Sequence, residues 1–354
     1  MSPTDTAAAA PGTPYLLVDV DRVTRNVADM AALAAERGLA LRPHAKTHKT
    51  AAAARLQVDA GAVGLTVATV AEAERFAAAG FHDLFIGYPL WVDPAKGARL
   101  RSLRERATVT VGTDSVESAR ALAAQVPGAA VLVEVDSGQH RSGVAPEDAG
   151  AVAVGAARAG LEVRGVFTFP GHGYGVGRGA SVAGEEAAAL AAAVSSLHRS
   201  GLAPEVVSGG STPTAQHADD RVLSELRPGV YVFGDAQQWE LGTTTPDRVA
   251  LTAVATVVSR AGGRVVLDAG SKTLGADRAD YATGWGRLLD HPDARVVLLA
   301  EHHAVVSWDA SPPPQPGDRV RVVPNHVCAA VNLADELVLT DGGRWPVVGR
   351  GANT

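Results

Sequence analysis

Residues 130–169 read AVLVEVDSGQHRSGVAPEDAGAVAVGAARAGLEVRGVFTF. An apolar run, Ala130–Asp136, is followed by a polar turn. An Ala-rich stretch, Pro146–Ala159, has helical spacing and stops at Gly160, and a second apolar run follows at Val163–Phe169. Short continuous apolar runs flanking an alanine-rich helix read as parallel strands joined by a crossover. The same unit recurs on both sides. Apolar runs at Leu39–His44, Gly64–Ala68, Leu84–Tyr88, Thr108–Gly112, Glu205–Ser208 and Gly229–Phe233 complete a set of eight strands. Helical patterns at Asp21–Arg37, Val70–Ala79, Val116–Gln125 and Gly184–Ser200 lie between them. Caps fit the scheme: Asp19 or Asp21, Thr69, and Thr113 or Asp114 at helix starts, and Gly38, Gly80 and Gly160 past the ends. Eight such repeats predict an α/β fold, a (β/α)8 TIM barrel. The rival is an open doubly wound sheet, but no GxGxxG follows the first strand.

Past residue 245 the helical spacing stops. Apolar runs at Leu251–Ser259, Arg264–Asp268, Ala294–Leu299, Ala304–Ser307, Arg319–Val323 and Glu336–Thr340 alternate with Gly, Pro and Asp turns. That predicts a C-terminal all-β domain. We therefore expect a barrel over 19–245 and a β domain over 246–354, with the N-terminal segment 13–18 pairing into the β domain. Ser311–Gly317, SPPPQPG, reads as a stiff loop within that domain.

The composition narrows the function. The chain is 46% hydrophobic and 20% charged, which suits a folded globular protein and not a disordered one. The net charge of −6 and the lack of a basic block speak against nucleic-acid binding. A single cysteine excludes a disulfide framework. No apolar run is long enough to span a membrane. MSPTDTAAAAPG lacks a charged start and an apolar core, so it does not read as a signal peptide, and a cytoplasmic location is expected.

Barrels do chemistry on the loops that follow their strands. The first loop holds His44, Lys46, His48 and Lys49. A lysine partly desolvated there, near other cations, is free enough of its proton to form a Schiff base, which suits pyridoxal 5'-phosphate. Ser208–Thr214, with Gly209, Gly210, Ser211 and Thr212, offers a phosphate cradle; its bland alternative is a Gly-Ser turn. Arg141, in an Asp-x-Gly-x-x-Arg-x-Gly turn, is a donor for a phenolic oxygen or else a surface partner of Asp136. In the β domain, His326 and Cys328 read as neighbours on one strand face, an imidazole and a thiolate suited to Zn2+. A buried free cysteine beside a histidine is the alternative, and His303 is a candidate for a further ligand.

Together these motifs resemble the fold-type III pyridoxal phosphate enzymes, in particular their branch of metal-dependent D-serine dehydratases and D-threonine aldolases. Thr13-Pro14-Tyr15, Arg42–Lys49, Asp136–Gly143, Gly209–Thr212, Pro228–Tyr231, Asp268–Lys272 and Pro324–Cys328 carry the likeness. The resemblance implies that Lys46 carries the cofactor and that Arg141 meets its phenolic oxygen. It places Gly209, Gly210, Ser211, Thr212 and Tyr231 at the phosphate, Tyr174 against the cofactor, and His172 and Tyr174 in catalysis. It makes His326 and Cys328 the ligands of a divalent metal, Zn2+ first and Mn2+ second. It implies a head-to-tail homodimer and a small β-hydroxy D-amino acid as substrate, with no nucleic-acid or membrane partner. Two departures stand out: His172 replaces an asparagine in the Gly-Asn-x-Tyr loop, and Ala300–Ala304 replaces an acidic-acidic-His-Gly pattern. The implied reaction is either loss of the β-hydroxyl, giving a keto acid and ammonia, or retro-aldol cleavage to glycine and an aldehyde. A racemase and a non-catalytic cofactor carrier are the other readings.

Overall fold

The computed structural model describes residues 11–309 and 312–354. Its first element, β1 (Tyr15–Val18), leads directly into α1 (Val20–Glu36), whose start is capped by Asp19 accepting from Arg22 N at 3.1 Å. Alternation follows with β2 (Ala40–Leu41), α2 (Ala51–Asp59), β3 (Leu65–Val67), α3 (Val70–Ala78), β4 (Asp83–Pro89), α4 (Pro94–Arg104), β5 (Thr108–Thr113), α5 (Val116–Gln125), β6 (Ala130–Glu134), α6 (Ala149–Arg158), β7 (Glu162–Phe167), α7 (Gly179–Arg199), β8 (Val206–Gly209) and β9 (Glu225–Leu226). Strands β2 to β9 form one parallel eight-stranded sheet in the order β2-β9-β8-β7-β6-β5-β4-β3. A parallel bridge between His44 and Thr66, with Val63 N donating to Leu41 O, brings its two edges together. The expected TIM-like architecture is present.

Three local readings need correction. The eighth strand is β9, not Gly229–Phe233, which forms a single 3-10 turn at Val230–Val232. That apolar run is buried because it plugs the core shared with the second sheet, not because it is a strand. The true strand is only two residues long, and its Glu225 is buried against Arg42, so it carries no apolar signal. Helix α5 is capped by Ser115, whose hydroxyl accepts from Ser118 N, and not by Thr113 or Asp114. Helix α7 begins at Gly179, one turn before the expected Gly184.

After a short α8 (Ala236–Glu240) come β10 (Leu251–Ser259), β11 (Val265–Leu267), α9 (Ser271–Leu274), β12 (Gly286–Leu288), β13 (Arg295–Leu299), β14 (Ala304–Ser307), β15 (Arg319–Pro324), α10 (Val327–Leu333), β16 (Glu336–Leu339) and β17 (Arg344–Pro346). With β1 they make a nine-stranded, largely antiparallel sheet, in which β1 lies between β10 and β16. Two short helices interrupt a region expected to hold strands alone. Of the expected stiff loop, Ser311 lies outside the described residues; the rest connects β14 to β15. Leu16, Val18, Leu251, Ala253, Val322 and Leu337 share one buried cluster with Val230–Phe233, so the sheet packs against the barrel's closing turn. No helix among the described residues is long and apolar enough to cross a membrane.

Candidate active site

Lys46 sits in the single 3-10 turn Ala45–Thr47 that follows β2, with His44 capping the turn. Its Nζ lies 3.0 Å from the hydroxyl of Tyr88, near the end of β4. The same Nζ is 5.5 Å from the centre of the Phe169 ring, and Arg141 stacks over both rings, 5.0 Å from Tyr88 and 5.1 Å from Phe169. Lys46 and Arg141 therefore share two aromatic walls. The carboxylate nearest Arg141 is Glu134, at 3.8 Å. Asp136, the expected alternative partner, instead accepts from Gly138 N, His140 N and His140 Nδ1.

The charge state of this loop differs from the sequence-based picture. His44 and His48 bring no positive charge. Burial drives the His44 pKa well down, and the cations Lys46 and Arg227 add to the effect. Burial takes His48 down to about 4; its ring lies 3.1 Å from Gln57 Oε1, and Gln57 in turn donates to Tyr231 Oη at 3.0 Å. For Lys46, burial pulls the pKa down, but the facing Tyr88 hydroxyl and Cys328 outweigh it, and the net direction is upward. In this structure the lysine holds its proton, contrary to the expectation of a desolvated neutral amine. Arg42, from the same motif, points away from the mouth. It pairs with the buried Glu225 at 2.7 Å and with the half-exposed Asp83, the first residue of β4, at 2.6 Å.

The loop after β8 and the turn after β9 meet beside the lysine turn. Gly210 has φ +81°, a conformation that favours glycine, and a Cβ on Gly229 would sit 2.7 Å from Thr47 Oγ1. Gly209 ends β8 behind them. The N–H of Gly210 is taken by Glu186 Oε1 at 2.6 Å and that of Ser211 by Thr214 Oγ1 at 2.9 Å. Thr212 accepts from Tyr231 N at 3.2 Å, so these two residues join the loops. Tyr231 contributes its backbone here, while its hydroxyl serves the buried Gln57.

Tyr174 and His172 follow β7. The Tyr174 phenol is raised far above its usual pKa by burial and by the negative charges of Cys328 and Asp235, against a hydrogen bond with Thr212. It keeps its proton at any working pH and can serve as a hydrogen-bond donor. His172 Nε2 lies 2.8 Å from Glu185 Oε2, and its Nδ1 is buried with no partner among the described residues.

His326 and Cys328 are neighbours, though not on a strand. β15 stops at Pro324, and α10 starts at Val327 with His326 as its N-cap in an extended conformation. His326 Nδ1 lies 2.9 Å from Asp277 Oδ2. The Cys328 thiolate, and then Asp277, raise the imidazole to about 11 despite burial. Burial opposes ionisation of Cys328, but the facing His326 and Lys46 bring its pKa below the usual thiol value. Cys328 Sγ lies 3.3 Å from Thr47 Oγ1. Asp235 is pushed up to about 6 by burial, an effect that the facing His326 opposes. His303 sits in the turn between β13 and β14, and no group of three or more His, Cys, Asp or Glu side chains arranged to hold a metal occurs among the described residues. Glu301 and His302 lie beside Lys272, at 2.9 Å and 3.5 Å.

The residues fit the implied groups. A buried lysine amine flanked by aromatic rings and an arginine, beside converging glycine loops, suits pyridoxal phosphate. A thiolate and an imidazole, the latter oriented by a carboxylate as metal-bound histidines usually are, suit a divalent metal. Sequence reading missed Tyr88, Asp277, Asp235 and Thr47. Two carried a signal: Tyr88 as the last residue of an expected strand, and Thr47 as a member of the Arg42–Lys49 motif.

Residues 18–237 match the alanine racemase N-terminal domain, and residues 250–340 a putative serine dehydratase domain. The chain belongs to this family of fold-type III pyridoxal phosphate enzymes. It is 35% identical to the D-threo-3-hydroxyaspartate dehydratase of Delftia sp. (strain HT23), over 90% of this chain and 91% of that one. It is 34% identical to a D-threonine aldolase of Arthrobacter sp., over 96% and 93%. The structure of the Delftia enzyme superposes with a TM-score of 0.88 at 32% identity, covering 95% of this chain and 97% of that one. A cysteine-to-alanine mutant of that enzyme in its metal-free form matches with the same TM-score, identity and coverage.

Proposed function

We propose that this protein is a pyridoxal phosphate- and divalent metal-dependent lyase acting on β-hydroxy D-amino acids, of the D-serine dehydratase type, releasing a keto acid and ammonia. One observation carries the reading: the thiol of Cys328 touches Thr47, the neighbour of Lys46, so the metal-type donor pair comes close to the amine. When bound, pyridoxal phosphate supplies an electron sink beside Cα and the metal a Lewis acid for the β-oxygen. Lys46 would hold the cofactor, Arg141 its phenolic oxygen, and the Thr212–Tyr231 junction its phosphate. His326 and Cys328 would hold the metal, Zn2+ by their softness and charge. Lys46, its Nζ steered by the Tyr88 hydroxyl, would also be the base for the α-proton. Tyr174 stays protonated, which suits a hydrogen-bond donor and not a base.

Retro-aldol cleavage is the second reading, favoured by the similarity to the Arthrobacter aldolase along nearly the whole chain. Incubation of the loaded protein with D-serine, D-threonine and 3-hydroxy-D-aspartate separates the two. Keto acid with ammonia supports the dehydratase, glycine with aldehyde the aldolase, and neither product refutes both. We further infer a head-to-tail homodimer. Trp91 and Val176, 64% and 65% exposed, stand on loops beside the barrel mouth, and Val297 and Leu298 offer apolar surface on the β domain. Light scattering showing a monomer at micromolar concentration would refute the dimer.

A further inference from the structure

Residues 325–328, which carry the two metal-type donors, are held by the barrel as well as by their own sheet. Two hydrogen bonds tie them to the segment 235–238 at the end of the barrel. Val327 N donates to Asp235 Oδ2 at 3.1 Å, and Gln237 N donates to Asn325 O at 3.2 Å. Asp235 is 1% exposed and uses its other oxygen, Oδ1, to accept from Gln238 N at 2.8 Å. Each oxygen thus serves a different element. Oδ1 caps α8, and Oδ2 holds the N–H of Val327, the one residue between His326 and Cys328. Gly234, with φ +64°, makes the sharp turn that delivers the carboxylate. Asn325 is fixed from its other side, donating to Gly284 O at 2.7 Å.

We propose that Asp235 is a positioning residue for the metal pair: by anchoring Val327 N, it sets the separation of His326 and Cys328 before any metal arrives. The inference rests on the proposed metal-dependent reading. It adds that the barrel, through a residue that is not a ligand, determines the metal affinity of the second domain. A backbone N–H fixed between two ligands limits the rotation of both. Loss of that anchor loosens the pair, and outer partners of metal sites typically govern affinity about ten- to a hundredfold.

The chemistry of the pair of bonds selects the variants. In Asp235→Asn one of the two acceptor atoms becomes a donor and must face an N–H. Asp235→Ser keeps a hydroxyl able to cap Gln238 N but is too short to reach Val327 N as well. The measurement is zinc affinity of the full-length, cofactor-loaded protein, by competition with a chromophoric chelator, alongside the visible band of bound cofactor and the melting curve of the metal-free protein. We expect both variants to lose zinc affinity about ten- to a hundredfold, keep the visible band, and melt close to the wild type when metal-free. Wild-type zinc affinity in folded Asp235→Ser overturns the proposal. So does a variant that loses fold and metal together, because Asp235 is then a structural cap only. If the wild-type protein itself takes up no zinc, it is the metal-dependent reading that fails.

Discussion

Thr47 Oγ1 and Cys328 Sγ lie 3.3 Å apart, although 281 residues separate them in sequence. The contact joins the turn that carries Lys46 to the helix that carries Cys328. It makes the second sheet part of the barrel's mouth, and it explains why the amine of Lys46 and the thiol of Cys328 influence each other's protonation.

The first prediction concerns Lys46. Borohydride reduction of the cofactor-loaded protein, followed by peptide mapping, should find the label on Lys46. Lys46→Ala should abolish turnover and the visible band together. A label on Lys49 or Lys272 refutes the assignment. Lys49 is already engaged, with Glu72 at 3.0 Å and Asn332 at 2.7 Å.

Metal removal should separate binding of the cofactor from chemistry. Chelation, or Cys328→Ala, should lower lyase activity by roughly a hundredfold or more while the visible band persists, because Lys46 lies outside the donor pair. Zinc should restore the chelated enzyme but not the variant. Full activity in metal-free protein would show the pair to be structural.

Tyr88→Phe removes the hydroxyl 3.0 Å from Lys46 Nζ and keeps the ring against Arg141. One lost hydrogen bond to a charged group corresponds to about a tenfold or greater fall in kcat/KM. The visible band should remain, with its pH titration displaced. Unchanged kinetics and titration would remove Tyr88 from the site.

Glu186 gives a stability prediction. Burial raises its carboxyl from 4.5 to about 7, against the Gly210 N–H and Arg227, which favour ionisation. The folded protein therefore holds one proton more than the unfolded chain between about pH 4.5 and 7. Its contribution to stability is greatest below that window, falls as pH rises through it, and stays low above. In Glu186→Gln this term is absent. From pH 5 to pH 8 its stability relative to wild type should rise by about 2–3 kcal/mol, as read from denaturant titrations. Parallel pH curves for the two proteins would refute the shifted carboxyl.

Much of this architecture was legible in the residues. The strand-helix units of the barrel show as apolar runs and caps because those strands are buried on both faces. Lys46, His326 and Cys328 stood out by residue type and motif. What was not legible depends on tertiary contact. β9 is too short and polar to show a period, while Val230–Val232 is apolar for packing reasons and reads falsely as a strand. The apolar residues after His326 similarly hid α10. Asp277 and Asp235 are single acids far from their partners in sequence, and only folding pairs them with the site. The protonated state of Lys46 depends on Tyr88 and Cys328, which no local pattern links to it.

The placement of β1 bears on how the chain is made. Tyr15–Val18 lies in the interior of the second sheet, with Val18 opposite Leu251 on one side and Leu339 on the other. During synthesis this strand leaves the ribosome before the whole barrel, and its partners follow only after the barrel is complete. Both of its edges stay unsatisfied for that interval, which exposes a β-template to other nascent chains. A gene fragment beginning at residue 246 would likewise lack an interior strand and leave two new edges open. The two halves are therefore not interchangeable modules, and grafting the second sheet onto another barrel requires the graft to carry residues 13–18 as well.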